Sequence, residues 1–351
     1  MHESPYELLA NALDRLPNAF PRTESGVELR LLAKLLTPEE AGLAAQLTGT
    51  YESLDEIATR LNIPTRDLRS QLSALAKRGL VWFEQREGKA FFRLAPFVVG
   101  FYEEQVGNLD RELAQLVEEY FQQGGTKGIM QPQPALHRVL PAQGAVKSEW
   151  VLPYDDVRMI LENAKTFHVN ECICRQEQDV LGKRQCDFPL DVCFSFSSQE
   201  RPLGEGDLTK EQALALLDKT EQLGLVHTVS NVMTGLGYVC NCCGCCCGIL
   251  RGITEHGIRE SVAYANYFAV IDADLCIGCG ICIERCQVGA ISEQDGVSVV
   301  DRDLCIGCGL CVTGCPENAA RLERKPEAEI VAPPVDFASW ERERLHNRGL
   351  G

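Results

Sequence analysis

Apolar residues recur at helical spacing along Val27 to Leu36, at Leu54, Ile57, Ala58 and Leu61, and at Leu68, Leu72, Leu75 and Ala76. A period near 3.6 predicts three helices there. Thr37-Pro38-Glu39-Glu40 opens a further helix with proline in its first turn, and Ser53-Leu54-Asp55-Glu56 reads as a capping box. The period then changes to two. Val81 to Gln85 and Ala90 to Leu94 predict two strands, joined by Arg86-Glu87-Gly88-Lys89 as a hairpin tip. An acidic helical stretch, Glu103 to Gln123, leads through Gly124-Gly125 into the proline-containing segment Gln131 to Pro141, which predicts an extended linker. Beyond it the pattern predicts a helix from about Tyr154 to Ala164. Another is capped by Thr209-Lys210-Glu211-Gln212 and stops at Gly224, burying Ala213, Leu216 and Leu217.

Gln222 to Leu250 carries no Asp, Glu, Lys or Arg. Its His227, Ser230, Asn231, Asn241 and glycines make it too polar for a lipid-facing helix. An uncharged, cysteine-packed stretch suits a buried metal cluster better, because glycine-exposed N–H groups stabilise an anionic cluster that carboxylates would repel.

Cysteine spacing changes the picture most. Cys276-x2-Cys279-x2-Cys282-x3-Cys286 recurs as Cys305-x2-Cys308-x2-Cys311-x3-Cys315, followed by Pro316, and residues 272–291 align with 301–320 at a shift of 29. Three thiolates on one tight loop reach three irons of a cubane, and the fourth must come from elsewhere. Zinc does not call for a third and fourth cysteine at these offsets. Disulfides would be strained at such short separations. The stretch resembles the bacterial dicluster ferredoxin family over about 55 residues, in which each half offers a strand, a cluster loop and a short helix. The resemblance implies two 4Fe-4S clusters with crossed ligands: Cys276, Cys279, Cys282 and Cys315 for the first, Cys305, Cys308, Cys311 and Cys286 for the second. Gln287 departs from it, standing where a proline is expected after the fourth cysteine.

Ten further cysteines lie upstream: Cys172, Cys174, Cys186, Cys193, Cys240, Cys242, Cys243, Cys245, Cys246 and Cys247. An all-thiolate supply beside a ferredoxin-like module points to one or two additional iron–sulphur clusters, with zinc as the competing metal and the partition of ligands open. Successive side chains diverge along an extended backbone, so adjacent cysteines are expected to serve different metals. The Cys242-Cys243-Gly244 and Cys246-Cys247-Gly248 pairs superficially resemble the motif of heterodisulfide reductase subunits, but the long spacings of that family are missing and its activity is not carried over. His168, Glu171, Arg175 and His227 sit close to cysteines, where hydrogen bonding to structure is the commoner role.

Composition bounds the rest. The 351 residues carry a formal charge of -16, which argues against nonspecific nucleic-acid binding by the whole chain. Residues 1–100 hold 12 Lys or Arg against 13 Asp or Glu, so the acidity lies downstream. Residues 27–94 resemble the winged-helix family by pattern, with Arg66, Arg69, Ser73 and Lys77 on the outer face of the third helix and Arg86 and Lys89 at the wing tip. That resemblance implies DNA contact or protein docking, and the near-zero local charge leaves DNA the less favoured partner. The first residues lack the basic flank and apolar run of a signal peptide, and the thiol-rich composition fits a reducing, cytoplasmic setting. No phosphate-binding glycine motif marks a nucleotide site.

The expected organisation is an α+β multidomain chain. It comprises a winged-helix-like domain (1–100), a helical linker (101–150), a cysteine-rich α/β metal-binding domain (151–266), a dicluster ferredoxin domain (267–325) and a C-terminal tail (326–351). The expected function is single-electron relay between a donor and a redox-enzyme partner, in anaerobic or low-oxygen metabolism. The alternative is an iron–sulphur redox-sensing transcription regulator that uses the winged helix.

Overall fold

The computed structural model describes residues 3–147 and 151–351. The last three residues of the stretch read as a linker, 148–150, lie outside these. The chain divides into two compact units, one of residues 1–129, 176–182 and 348–351, the other of residues 130–175 and 183–347.

The first unit opens with α1 (Pro5–Asp14), α2 (Val27–Leu35) and α3 (Pro38–Ala44). Ser4 and Thr37 each cap a helix reciprocally with the glutamate three residues on, Glu7 and Glu40. β1 (Glu52–Ser53) precedes α4 (Leu54–Leu61), whose capping box joins Ser53 and Glu56, and α5 (Thr65–Lys77) follows. β2 (Val81–Arg86) and β3 (Lys89–Leu94) form the expected hairpin and, with β1, a three-stranded antiparallel sheet in the order β1-β3-β2. The acidic stretch is not one helix. A short turn at Glu103–Gln105 is separated from α6 (Arg111–Tyr120), because Gly107 takes φ +78° and Asp110 caps the new start through the Leu113 N–H. An aromatic cluster centres the core, with Phe97 lying 5.0 Å from Phe20 and edge-on to Tyr120 at 5.6 Å.

α7 (Thr126–Met130) ends as the second unit begins, and β4 (His137–Leu140) follows. Residues expected as an extended linker are thus extended, but as a strand buried at all four positions. Next come α8 (Val157–Glu162), β5 (Thr166–Glu171), α9 (Ile173–Leu181), β6 (Asp191–Ser197), β7 (Asp207–Leu208), α10 (Lys210–Leu223), β8 (Val226–Ser230), β9 (Tyr238–Cys242) and α11 (Gly248–Thr254). The strands form one six-stranded antiparallel sheet, ordered β4-β8-β9-β6-β5-β7. Val157 and Leu161 of α8 and Ala213 and Leu217 of α10 pack with Phe167, Phe194, Val229 and Val239 of the sheet. Thr209 and Gln212 cap α10 reciprocally, and Gly224 ends it at φ +89°.

The remaining elements repeat internally. β10 (Tyr267–Ile271) pairs with β13 (Ala320–Arg324), and β11 (Ile291–Gln294) with β12 (Val297–Val300). The four-residue helices α12 (Ile281–Glu284) and α13 (Leu310–Thr313) start 29 residues apart, each after a left-handed glycine, Gly280 and Gly309. In the tail, α14 (Phe337–Asn347) buries Trp340, whose Nε1 donates to the Ala135 carbonyl at 3.0 Å. Among the described residues no helix is long and apolar enough to cross a membrane.

Candidate metal centres

All eighteen cysteines are described, and all ten upstream ones lie in the same compact unit as the ferredoxin-like repeats. The eight C-terminal cysteines divide between two cavities. Cys276, Cys279, Cys282 and Cys315 line one, with Ile271, Ile277 and Ile281. Cys286, Cys305, Cys308 and Cys311 line the other, with Val288, Ile306 and Leu310. Each cavity therefore takes three cysteines from one repeat and the fourth from the other.

Backbone N–H groups point at these sulfurs. Ser298 N–H donates to Cys276 Sγ at 3.4 Å, Ala269 N–H to Cys305 Sγ at 3.4 Å and Ala290 N–H to Cys286 Sγ at 3.1 Å. Such bonds favour the thiolate. They hold the Cys276 thiol below its ordinary range, with Ser298 and then Gly278 as the main donors. For Cys286 burial outweighs them and pushes the thiol up. Apolar walls, converging thiols and inward N–H donors fit a 4Fe-4S cluster in each cavity.

Both flanks of Cys286 reach into the middle region. Arg285 donates to the carbonyls of Leu310 (2.8 Å), Gln222 (2.7 Å) and Glu221 (2.9 Å). Gln287 Oε1 accepts from the Gly244 N–H at 2.9 Å, and its Nε2 donates to the Gly224 carbonyl at 2.9 Å. In the sequence Gln287 stands out only as a departure from proline. No local pattern could have shown its partners, which lie 43 and 63 residues away.

The ten upstream cysteines form two groups. Cys186, from the loop between α9 and β6, meets Cys243, Cys245 and Cys246, from the loop between β9 and α11. Their four sulfurs all lie within 4.8 Å of one another, and among the described residues they are the one group of candidate ligands so compact. Cys186 is 3.8 Å from both Cys243 and Cys246, and Cys245 is 3.6 Å from Cys246. Tetrahedral thiolates about 2.3 Å from one ion sit about 3.8 Å apart, so this group is sized for a single ion. Among the described residues no three cysteines of either cavity lie mutually within 4.8 Å, as separate corners of a cube require. Hydrogen bonds from Cys245 and Cys246 hold the Cys243 thiol well below its ordinary range despite burial.

The other six close into a ring. Cys172 touches Cys174 and Cys193, Cys193 touches Cys240, Cys240 touches Cys242, Cys242 touches Cys247, and Cys247 returns to Cys174. Regular structure sets them there. Phe194 pairs with Val239 across β6 and β9, which puts Cys193 opposite Cys240, and Cys242 follows two residues on along the same face. The adjacent pairs 242/243 and 246/247 split between ring and compact group, whereas Cys245 and Cys246 stay together at a turn, where the divergence of an extended backbone does not apply.

Arg175, close in sequence to Cys172 and Cys174, is fully buried. Its Nη2 donates to the Asn241 carbonyl at 2.8 Å and its Nη1 to the Pro189 carbonyl at 3.3 Å, while Nε has no partner among the described residues. Burial opposes its charge, but the nearby sulfurs of Cys172, Cys243, Cys193 and Cys242 outweigh burial and raise its pKa. Arg175 thus faces both groups.

His227 Nδ1 meets Asn241 Oδ1 at 2.6 Å, a structural role. His168 pairs with Asp207 at 2.9 Å, and Glu171 sits at the β5 bulge opposite Asp191. A chain of contacts also joins the ring to His137, a residue without a nearby cysteine in sequence. Cys242 Sγ lies 3.5 Å from Thr228 Oγ1, which lies 3.3 Å from His137 Nδ1, whose Nε2 lies 2.7 Å from the Tyr238 hydroxyl.

Residues 269–322 match the sequence family described as a 4Fe-4S dicluster domain. No curated protein matches the chain. This 54-residue match rests on the two cavities and leaves the rest of the chain, the ten upstream cysteines included, without a family.

Proposed function

We propose that the chain is a multicluster iron–sulphur electron-transfer protein that relays single electrons between a donor and a redox-enzyme partner. In this reading the first cluster is held by Cys276, Cys279, Cys282 and Cys315, and the second by Cys286, Cys305, Cys308 and Cys311. The upstream cysteines hold further thiolate-bound metal, with iron in the compact group, and serve as the point of entry or exit. The observation that carries the reading is the seam at Cys286. The residue after this ligand is hydrogen-bonded to Gly244, which stands between Cys243 and Cys245 of the compact group. One cluster ligand and one upstream metal site are thereby joined through a single side chain, a short path for an electron.

The thiol-rich donor set favours a reducing compartment such as the cytoplasm. The N-terminal elements, five helices before a hairpin, support a winged-helix module (1–100) that docks a protein partner rather than DNA. The test is a potentiometric titration of anaerobically purified protein, followed by electron spin resonance. The reading expects one-electron transitions from both cavities and at least one more from the upstream cysteines. An upstream region silent at every potential contradicts it.

A further inference from the structure

Eight cysteines line the two ferredoxin-type cavities and four form the compact group, which leaves the six of the ring. We propose that Cys172, Cys174, Cys193, Cys240, Cys242 and Cys247 form a separate metal site that binds one polynuclear iron–sulphide cluster through all six thiolates. The proposal deepens the reading that the upstream cysteines hold metal, and it assigns the partition.

Size comes first. A single tetrahedral ion draws its four sulfurs to about 3.8 Å from one another. Each ring thiol touches two neighbours, yet among the described residues no three of the six lie mutually within 4.8 Å. One ion cannot serve this ring, and a core of several metals can. Number comes second. A cubane offers four external positions, one on each iron, so six thiolates call for a core larger than one cubane.

Charge points the same way. Six thiolates, two buried and four half-buried, with one buried guanidinium, Arg175, carry a net negative charge that low-dielectric surroundings penalise. Several iron ions supply the missing positive charge, and an all-sulfur donor set selects them over harder cations. Arg175 Nε, without a partner among the described residues, is a buried donor left over for such an anionic core. Finally, regular structure positions most of the ring. Cys193, Cys240 and Cys242 stand on paired strands and Cys174 on a helix, so four of the six thiols are set by strand and helix rather than by a loop.

The test compares iron, zinc and acid-labile sulphide in full-length protein purified without air and reconstituted with ferrous iron and sulphide. The Cys193→Ser/Cys240→Ser variant is expected to lose more than four irons together with sulphide, while the resonances of the ferredoxin-type clusters persist as the check on folding. The Cys186→Ser/Cys245→Ser variant is expected to lose about one metal ion and no sulphide. Loss of four irons or fewer from the ring variant overturns the proposal while leaving the wider electron-transfer reading in place. Should the ring variant fail to fold, Arg175→Gln keeps every thiol. It is expected to keep the iron count and to move the midpoint potential of the largest cluster to more negative values, and an unmoved potential overturns the proposal.

Discussion

Gln287 and Gly244 meet through a 2.9 Å hydrogen bond, and a Cβ on Gly244 would lie 1.8 Å from the Gln287 carbonyl oxygen. The glycine permits the approach and the glutamine holds it. Proline at 287 could make neither side-chain bond. Gln287→Leu is expected to cost about 1–3 kcal/mol by stranding the Gly244 N–H and the Gly224 carbonyl. It is also expected to slow electron equilibration between the upstream metal and the second-repeat cluster. Denaturant midpoints and stopped-flow reduction followed at cluster absorbance check both.

Gly244→Ala acts at the same seam by crowding rather than by loss of a bond. Overpacking of this kind costs typically about 1–3 kcal/mol, and here the obstacle is backbone, which cannot rotate away. The variant is expected to be destabilised by at least as much as Gln287→Leu. A thermal midpoint equal to that of the unmodified protein contradicts the close approach.

Cys286→Ala separates crossed from uncrossed ligation. Cys286 lines the cavity of Cys305, Cys308 and Cys311, so the variant is expected to damage that cluster and spare the one at Cys276, Cys279 and Cys282. Iron analysis and the resonance of the reduced variant report which cluster survives. Damage confined to the first-repeat cluster refutes the assignment.

His137 gives a pH signature. Burial lowers its pKa to about 4 from an ordinary 6.5. A depressed histidine contributes stability that is complete above pH 6.5, declines as pH falls towards 4, and no longer changes below that. The full loss is on the order of 3 kcal/mol, about 2 kcal/mol of it by pH 5. Asp155 titrates with the opposite sign, its carboxyl pushed up to about 6 by burial against the pull of Arg138, and burial lowers His227 too, so the raw curve mixes several groups. Urea unfolding of the protein and of His137→Gln at pH 7 and pH 5 isolates the histidine. The variant is expected to lose about 2 kcal/mol less.

Legibility in the sequence followed the range of the interactions. Caps at Ser53, Thr37 and Thr209 depend on residues three positions away, and each stands where the local pattern put it. Likewise, cysteine offsets within each repeat are local and sufficed for the dicluster module. The division of the ten upstream cysteines was not legible, because it follows from the pairing of β6 with β9, strands more than 40 residues apart in the chain. Gly107 and Asp110 broke the long acidic helix for a reason that apolar periodicity does not record.

The central claim, that the upstream cysteines and the dicluster module form one iron-based conductor, is tested most directly by iron and acid-labile sulphide analysis of protein isolated without air. The account predicts clearly more than the eight irons of two cubanes, with sulphide in excess of eight. Eight irons or fewer, with zinc filling the upstream cysteines, would contradict it.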